Sequence, residues 1–167
     1  MKKIKSLILL TMLSGAVIMS SCKKDKSTPT PFITATIDGS AVNFNTHAVA
    51  IKGSGETAGV TVIQGEGPNG TTFSISLLTA LTAGKTFVSG GDDVNNAPLL
   101  QYSTSDDDFF NDDDDASNVI TVTITSVSST SVQGTFKGKI MDAIEVGNGT
   151  PKTKLISNGK FNVTFTN

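Results

Sequence analysis

The sequence is poor in the residues from which most catalytic and nucleic-acid-binding sites are built. Its 167 residues include no tryptophan and no arginine, and cysteine, histidine and tyrosine occur once each, as Cys22, His47 and Tyr102. Without arginine, bidentate capture of phosphate or carboxylate is excluded. The lysines are scattered along the chain, which argues against a nucleic-acid partner. A Ser-His-Asp triad or a histidine-rich zinc site would have to be built around His47 alone.

His47 itself is expected to have a structural role. It lies in the run Asn45–Val49, which is typical of a strand edge, and we interpret it as an exposed or hydrogen-bonded histidine. We therefore expect no catalytic residues and no enzyme activity. The scarcity of tryptophan and tyrosine also argues against carbohydrate binding, because sugar-binding platforms usually need exposed rings of these types.

The N-terminal 22 residues have the order of a lipoprotein signal peptide. A basic start (Lys2, Lys3 and Lys5) precedes the apolar run Ser6–Met19, and two small serines then precede Cys22. The apolar run has about 14 residues, too few for a transmembrane helix, which needs about 20. The sequence therefore predicts that residues 1–21 are removed and that the thiol of Cys22 receives diacylglycerol.

Lipidation predicts both the location and the attachment of the protein. Several acyl chains hold a protein firmly to a bilayer, whereas one chain holds it marginally. We expect an exported protein attached through its lipid to the outer membrane, in either the periplasmic or the surface-facing leaflet. Residues 22–31, which are polar and contain two prolines, Pro29 and Pro31, are expected to form a disordered tether. With its only cysteine lipidated, the chain can form no disulfide.

Residues 32–167 are predicted to form a single all-β domain. Ile33, Ala35 and Ile37 alternate with threonines, and Asp38-Gly39 then gives a strong hairpin signal. About nine or ten short strands with frequent turn signals favour an antiparallel β-sandwich or a partly closed β-barrel, with a lipocalin-like barrel as the alternative. The run from 119 to 127 is expected to be the longest strand. The side chains expected to point inward from the clearest strands are those of Ile124, Phe136, Phe161 and Phe165.

Several stretches together resemble a known family. A Ser-Ser-Cys-Lys-Lys-Asp start and a proline-containing tether lead into residues 35–39 (ATIDG), and residues 122–125 (VTIT), 132–136 (VQGTF) and 156–163 (ISNGKFNV) follow. The chain resembles the small all-β lipoproteins of unknown function that are common in Bacteroidota. These are strand and turn motifs, so the resemblance implies a fold and brings no catalytic residues.

A segment at about 92–117 is unusually acidic. It holds nine of the fifteen acidic residues, and no basic residue occurs between Lys85 and Lys137. Closely spaced carboxylates repel one another unless a cation or solvent screens them, and oxygen ligands suit Ca²⁺. A weak Ca²⁺ site formed by Asp106, Asp108, Asp112 and Asp114 is one hypothesis, although the order of an EF-hand loop is missing. The other is a solvated loop without a cofactor, in which at least one ring of Phe109-Phe110 packs on the domain or meets a partner.

Two functions remain compatible with the sequence. The first is a non-catalytic binding or structural module at the cell envelope, with an unidentified protein or small molecule as partner. The second is a lipocalin-like carrier of a small apolar ligand. They differ in whether the interior is filled by side chains or contains a cavity. Valine, isoleucine and phenylalanine dominate the inward positions, so we expect a filled interior.

Overall fold

The computed structural model describes residues 30–90, 97–111, 119–142 and 151–166. Of these residues, 63% lie in strands and none lies in an α-helix, so the all-β prediction is confirmed. The strands are β1 (Phe32–Ile37), β2 (Ser40–Asn43), β3 (Thr46–Lys52), β4 (Thr61–Glu66), β5 (Thr72–Leu77), β6 (Thr86–Val88), β7 (Leu99–Ser103), β8 (Asp108–Phe110), β9 (Thr121–Val127), β10 (Ser131–Asp142) and β11 (Thr153–Thr166).

These strands form one large sheet that curves into an incomplete ring. Its order is β2-β1-β11-β3-β4-β5-β7-β8-β10-β9-β6, and a further pairing between β10 and β11 links the strands from β11 through β3 to β10 into a cycle. The hairpin β1–β2 lies outside this cycle on β11, and β9 and β6 lie outside it on β10. The architecture is therefore intermediate between the predicted sandwich and the predicted barrel.

The antiparallel prediction is correct for every strand pair of the described residues except one. β11 runs parallel to β3, with Thr164 opposite Val49 and Thr166 opposite Ile51. The exception has a simple origin. β2 is antiparallel to β1, which is antiparallel to β11, and the chain passes from β2 to β3 through Phe44 and Asn45 without reversing. β3 therefore keeps the direction of β11.

Two Asx-Gly pairs, Asp38-Gly39 and Asn158-Gly159, have different roles in the sheet. Asp38 and Gly39 have φ angles of 48° and 82°, which suit the tight turn between β1 and β2. Asn158-Gly159 is also a typical turn pair, yet it lies inside β11, where the register against β1 and β10 shifts. There β11 forms a bulge, and Asn158 takes the φ of 52°. β11 therefore continues for 14 residues and is the longest strand among the described residues, instead of the predicted run at 119–127.

Aromatic rings fill the interior of the ring of strands. They contact one another in an unbroken series, with centroids 4.8–6.4 Å apart. In order, the series is Phe161, Phe136, Phe73, Phe44, Tyr102 and Phe109. Of the four predicted inward residues, Ile124, Phe136 and Phe161 are buried, whereas Phe165 is half-buried near the end of β11. Because these rings pack together, a filled interior is what the described residues show.

Candidate functional site

Part of the predicted site lies outside the described residues. Cys22 belongs to the segment 1–29, and Asp112 and Asp114 belong to the segment 112–118. Lipidation and half of the proposed Ca²⁺ ligand set therefore stay predictions. The described residues include the other two proposed ligands, Asp106 and Asp108.

Asp106 lies in the tight turn between β7 and β8, and Asp108 is the first residue of β8. The Thr104 hydroxyl accepts hydrogen bonds from the amides of Asp106 (3.3 Å) and Asp107 (3.0 Å), and it donates to the Asp107 carbonyl at 3.1 Å. Ser103 pairs with Asp108, where β8 begins. The segment predicted to be an acidic loop at 92–117 is therefore interrupted by β7 and β8.

The three carboxylates of this hairpin differ in their surroundings. Asp107 forms an ion pair with Lys152, with Oδ1 and Nζ 3.0 Å apart, whereas the side chains of Asp106 and Asp108 are exposed. Within the four described segments, no three histidine, cysteine or acidic side chains are grouped so that they could hold a metal ion. The Ca²⁺ hypothesis consequently depends on Asp112 and Asp114.

The two phenylalanines that interrupt the acidic run have different environments. Phe109 is 1% exposed, and its ring stacks on that of Tyr102 with centroids 6.0 Å apart. The prediction that at least one of the pair packs on the domain is thus confirmed. Because neighbouring residues of a strand point to opposite faces, Phe110 lies on the outer face, where it is partly exposed. This leaves a ring on the outside of the sheet.

A second cluster of charges fixes the β1–β2 turn. Asp38 accepts a hydrogen bond from the Leu155 amide at 2.9 Å through Oδ1, and its Oδ2 lies 2.9 Å from Lys154 Nζ. Burial acts to raise the pKa of the Asp38 carboxyl, but the Leu155 amide and the Lys154 ammonium together outweigh it and lower the pKa below its usual value. The ionised carboxylate therefore joins this turn to β11.

His47 lies in a β-bulge of β3, and its side chain points outward. Thr46 pairs with Glu66 and Val49 with Gln64, so two residues of β3 face one residue of β4. His47 is one of these two and has a φ of 52°, in the left-handed region. Its Nδ1 lies 3.2 Å from Glu66 Oε2, and its side chain is 78% exposed. The prediction of an exposed or hydrogen-bonded histidine is confirmed.

This bulge borders a polar groove of about 290 Å³ on the outer face of β3, β4, β5 and β7. The cross-strand register places Gln64 opposite Ser74, and Ser74 opposite Gln101. The next pairing outward continues the same row, because Gln101 lies opposite Phe110 on β8. We call these four residues, Gln64, Ser74, Gln101 and Phe110, the outer row.

A parallel line of polar groups flanks the outer row. Glu66 lies opposite Thr72, and Thr72 lies opposite Ser103. The Gln101 side-chain amide donates a hydrogen bond to the Ser103 hydroxyl at 3.2 Å, which links the two lines. The outer face therefore presents amide, hydroxyl, carboxylate and imidazole groups side by side. Sequence reasoning missed this grouping, because its members come from four strands and only the register brings them together.

A different groove, of about 270 Å³, lies at one end of the ring of strands. Its lining is mostly apolar and includes Val60, Leu81, Val127 and the half-buried Phe165. Lys52 lies at its edge, with Nζ 3.8 Å from the centre of the Phe165 ring. The apolar lining of this groove could contact an apolar ligand.

No family model, curated protein or solved structure matches this chain. The resemblance to Bacteroidota lipoproteins therefore stays a prediction. None of the helical turns in the described segments has the length or apolar character needed to cross a bilayer.

Proposed function

We propose that this chain is a lipid-anchored, non-catalytic binding module of the cell envelope, held on the outer membrane through Cys22. The observation that carries the proposal is the order of the N-terminal segment, in which basic, apolar and small residues end on the only cysteine of the chain. The described domain begins at β1, ten residues after Cys22. A tether of this length keeps a folded domain close to its membrane.

The packed interior supports binding at the surface. The series of aromatic rings from Phe161 to Phe109 occupies the space in which a lipocalin would hold its ligand. The polar groove and the outer row are instead open on the outer face. A partner that meets the protein from outside can reach them without any rearrangement of the core.

The same exposure supports a non-catalytic role. An imidazole beside a carboxylate can transfer protons, but the side chains of His47 and Glu66 are 78% and 50% exposed. Catalytic electrostatics gain most of their strength in sites from which water is excluded. The pair is better suited to holding the β3 bulge and to contacting a ligand.

The proposal is tested by metabolic labelling with an alkyne fatty acid. The wild-type chain should be labelled and should fractionate with the outer membrane. Cys22→Ser should lose both the label and the processing at residue 22, whereas Ser21→Ala, which keeps a small residue before the cysteine, should retain both. Undiminished labelling of Cys22→Ser would contradict the proposed anchor.

The alternative function, a lipocalin-like carrier of a small apolar ligand, is favoured by one observation, the apolar end groove with Lys52 at its edge. Its volume of about 270 Å³ lies just below the range of about 300–1,000 Å³ in which most ligand pockets fall. Titration with a fluorescent fatty acid tests this alternative. Saturable binding that Leu81→Ser abolishes would establish the carrier, and we expect no saturable binding.

A further inference from the structure

The outer row combines an aromatic ring with neutral hydrogen-bonding groups on a continuous face. Leu100, Tyr102 and Phe109 point inward, so Gln101 and Phe110 point outward from neighbouring strands. From Gln64 on β4 to Phe110 on β8 the row crosses three strand spacings, or about 14 Å. This length suits an extended ligand better than a single small molecule.

From this arrangement we propose that the outer row binds a neutral glycan chain, with a sugar ring stacked on Phe110 and hydroxyls bonded to Gln101, Ser74 and Gln64. A side-chain amide both donates and accepts hydrogen bonds, and a serine hydroxyl does the same. Sugar hydroxyls have this same dual character. The sequence argued against carbohydrate binding because tryptophan and tyrosine are scarce. In this proposal Phe110 supplies the aromatic ring that one of those residues would otherwise provide.

The charges around the row select against anionic ligands. Glu66 lies at one end of the line that flanks the row, and Asp108, which is opposite Ser103, lies at the other end of that line. Carboxylates at these positions repel phosphate and sulfate groups. An uncharged, polyhydroxyl chain meets no such repulsion.

The strand pairing argues against an extended peptide as the ligand. Peptides often bind sheets by adding a strand to a free edge. β4, β5 and β7 each have a paired neighbour on both sides, so their backbone groups are engaged. A ligand on this face must bind through side chains, as glycans do.

The bulge at His47 forms one boundary of the glycan site. It places the imidazole beside Glu66 at the margin of the polar groove. The glycan therefore extends from Phe110 towards His47.

The ligand class deepens the proposed function, since it names the partner of the binding module. The experiment is native affinity electrophoresis of the full chain, isolated from cells in detergent, in gels containing a soluble β-1,3-glucan, β-1,4-mannan or dextran. At least one polysaccharide should retard the wild-type chain. Gln101→Ala should weaken that retardation about three- to tenfold, as the loss of a neutral hydrogen bond implies, and Gln64→Ala should act similarly.

Matched variants separate binding from folding. Phe110→Ala should weaken retardation about tenfold, because it removes the stacked ring, whereas Phe110→Tyr should keep it. Gln133→Ala is the control for the glutamines, because Gln133 is exposed on β10, away from the row. Retardation by none of the three polysaccharides, or an equal loss in Gln133→Ala and Gln101→Ala, would overturn the glycan proposal.

Labelling of the same preparation with the alkyne fatty acid distinguishes the two proposals. A labelled chain that no polysaccharide retards would overturn the glycan site and leave the anchored module. An unlabelled chain that is retarded in a Gln101-dependent manner would support the glycan site and overturn the anchor.

Discussion

Single residues in this protein act mainly by fixing turns and bulges of the sheet. Asp38 shows this most clearly, because its carboxylate bonds to the backbone of β11 and to Lys154 while its own backbone takes a left-handed φ of 48°. Asparagine tolerates the same backbone conformation. Asp38→Asn therefore removes the charge with little change in the geometry of the turn.

Asp38→Asn should lower the free energy of unfolding by about 0.2–1 kcal/mol at pH 7, the range for an ion pair in contact with solvent. The folded-state pKa of Asp38 is lowered, so its contribution to stability is present above the unfolded-state pKa of about 4 and is lost as the pH falls through the folded-state value. Urea unfolding at pH 7 and at pH 2.5 measures the difference. A deficit of the same size at both pH values would show that the charge has no part in it.

At the scale of elements, the register of the strands decides which residues are structural. Phe136 is 2% exposed, and its ring stacks on those of Phe73 and Phe161 at 4.8 and 6.4 Å. Thr123 lies on the neighbouring strand β9, opposite Thr135, with its side chain partly exposed. Adjacent positions in this part of the sheet should therefore differ greatly in their effect on stability.

Phe136→Ala should cost about 3–5 kcal/mol, because it opens a cavity among packed rings. Thr123→Ala should cost far less, since its side chain faces outward. Chemical denaturation of both variants gives the comparison, and Asn162→Ala on β11 is a second outward control. Similar losses in all three variants would mean that the inward and outward faces are wrongly assigned.

The acidic hairpin Asp106–Asp108 is the described part of the proposed Ca²⁺ site. If Asp106, Asp108, Asp112 and Asp114 gathered around Ca²⁺, the melting temperature would rise with calcium and then saturate. Asp106 and Asp108 are exposed, and Asp107 is paired with Lys152. We therefore expect millimolar Ca²⁺ and Mg²⁺ to give equal, small shifts in the melting temperature.

The control is the double variant Asp108→Asn/Asp112→Asn, which should show the same shifts. A saturating, calcium-specific rise in the melting temperature that this variant loses would establish the metal site.

The sequence predicted features that depend on neighbours along the chain. The alternation in β1 and the Asp38-Gly39 turn are local patterns, and both are confirmed. The strand β8 was missed, because three aspartates in a row suggest a solvated loop whereas the burial of Phe109 against Tyr102 decides the structure. The bulge at Asn158 was missed for a similar reason, since long-range pairing with β1 and β10 overrides a local turn signal.

The candidate site could not be predicted from local patterns at all. Gln64, Ser74, Gln101 and Phe110 lie on four strands, and only their register makes them a row. By contrast, the prediction of lipid attachment does not depend on the folded structure. It rests on the order of basic, apolar and small residues before Cys22. The geometry of the folded domain and the sequence of the N-terminal segment therefore support the proposed function independently.

For the whole molecule, the two sources combine into one account. A domain with a packed aromatic interior leaves its outer face for binding, and an acylated N-terminus would hold that face at the envelope. The account requires that the chain in the cell begins at Cys22. Removal of residues 1–21 and acylation of the cysteine would together change both the mass and the hydrophobicity of the N-terminal peptide.

Mass spectrometry of the N-terminal peptide from the purified protein tests this requirement most directly. The account predicts a peptide that begins at Cys22 and carries a diacylglyceryl group, with or without an additional N-acyl chain. A peptide that begins at Met1, or one in which Cys22 carries no lipid, would contradict it.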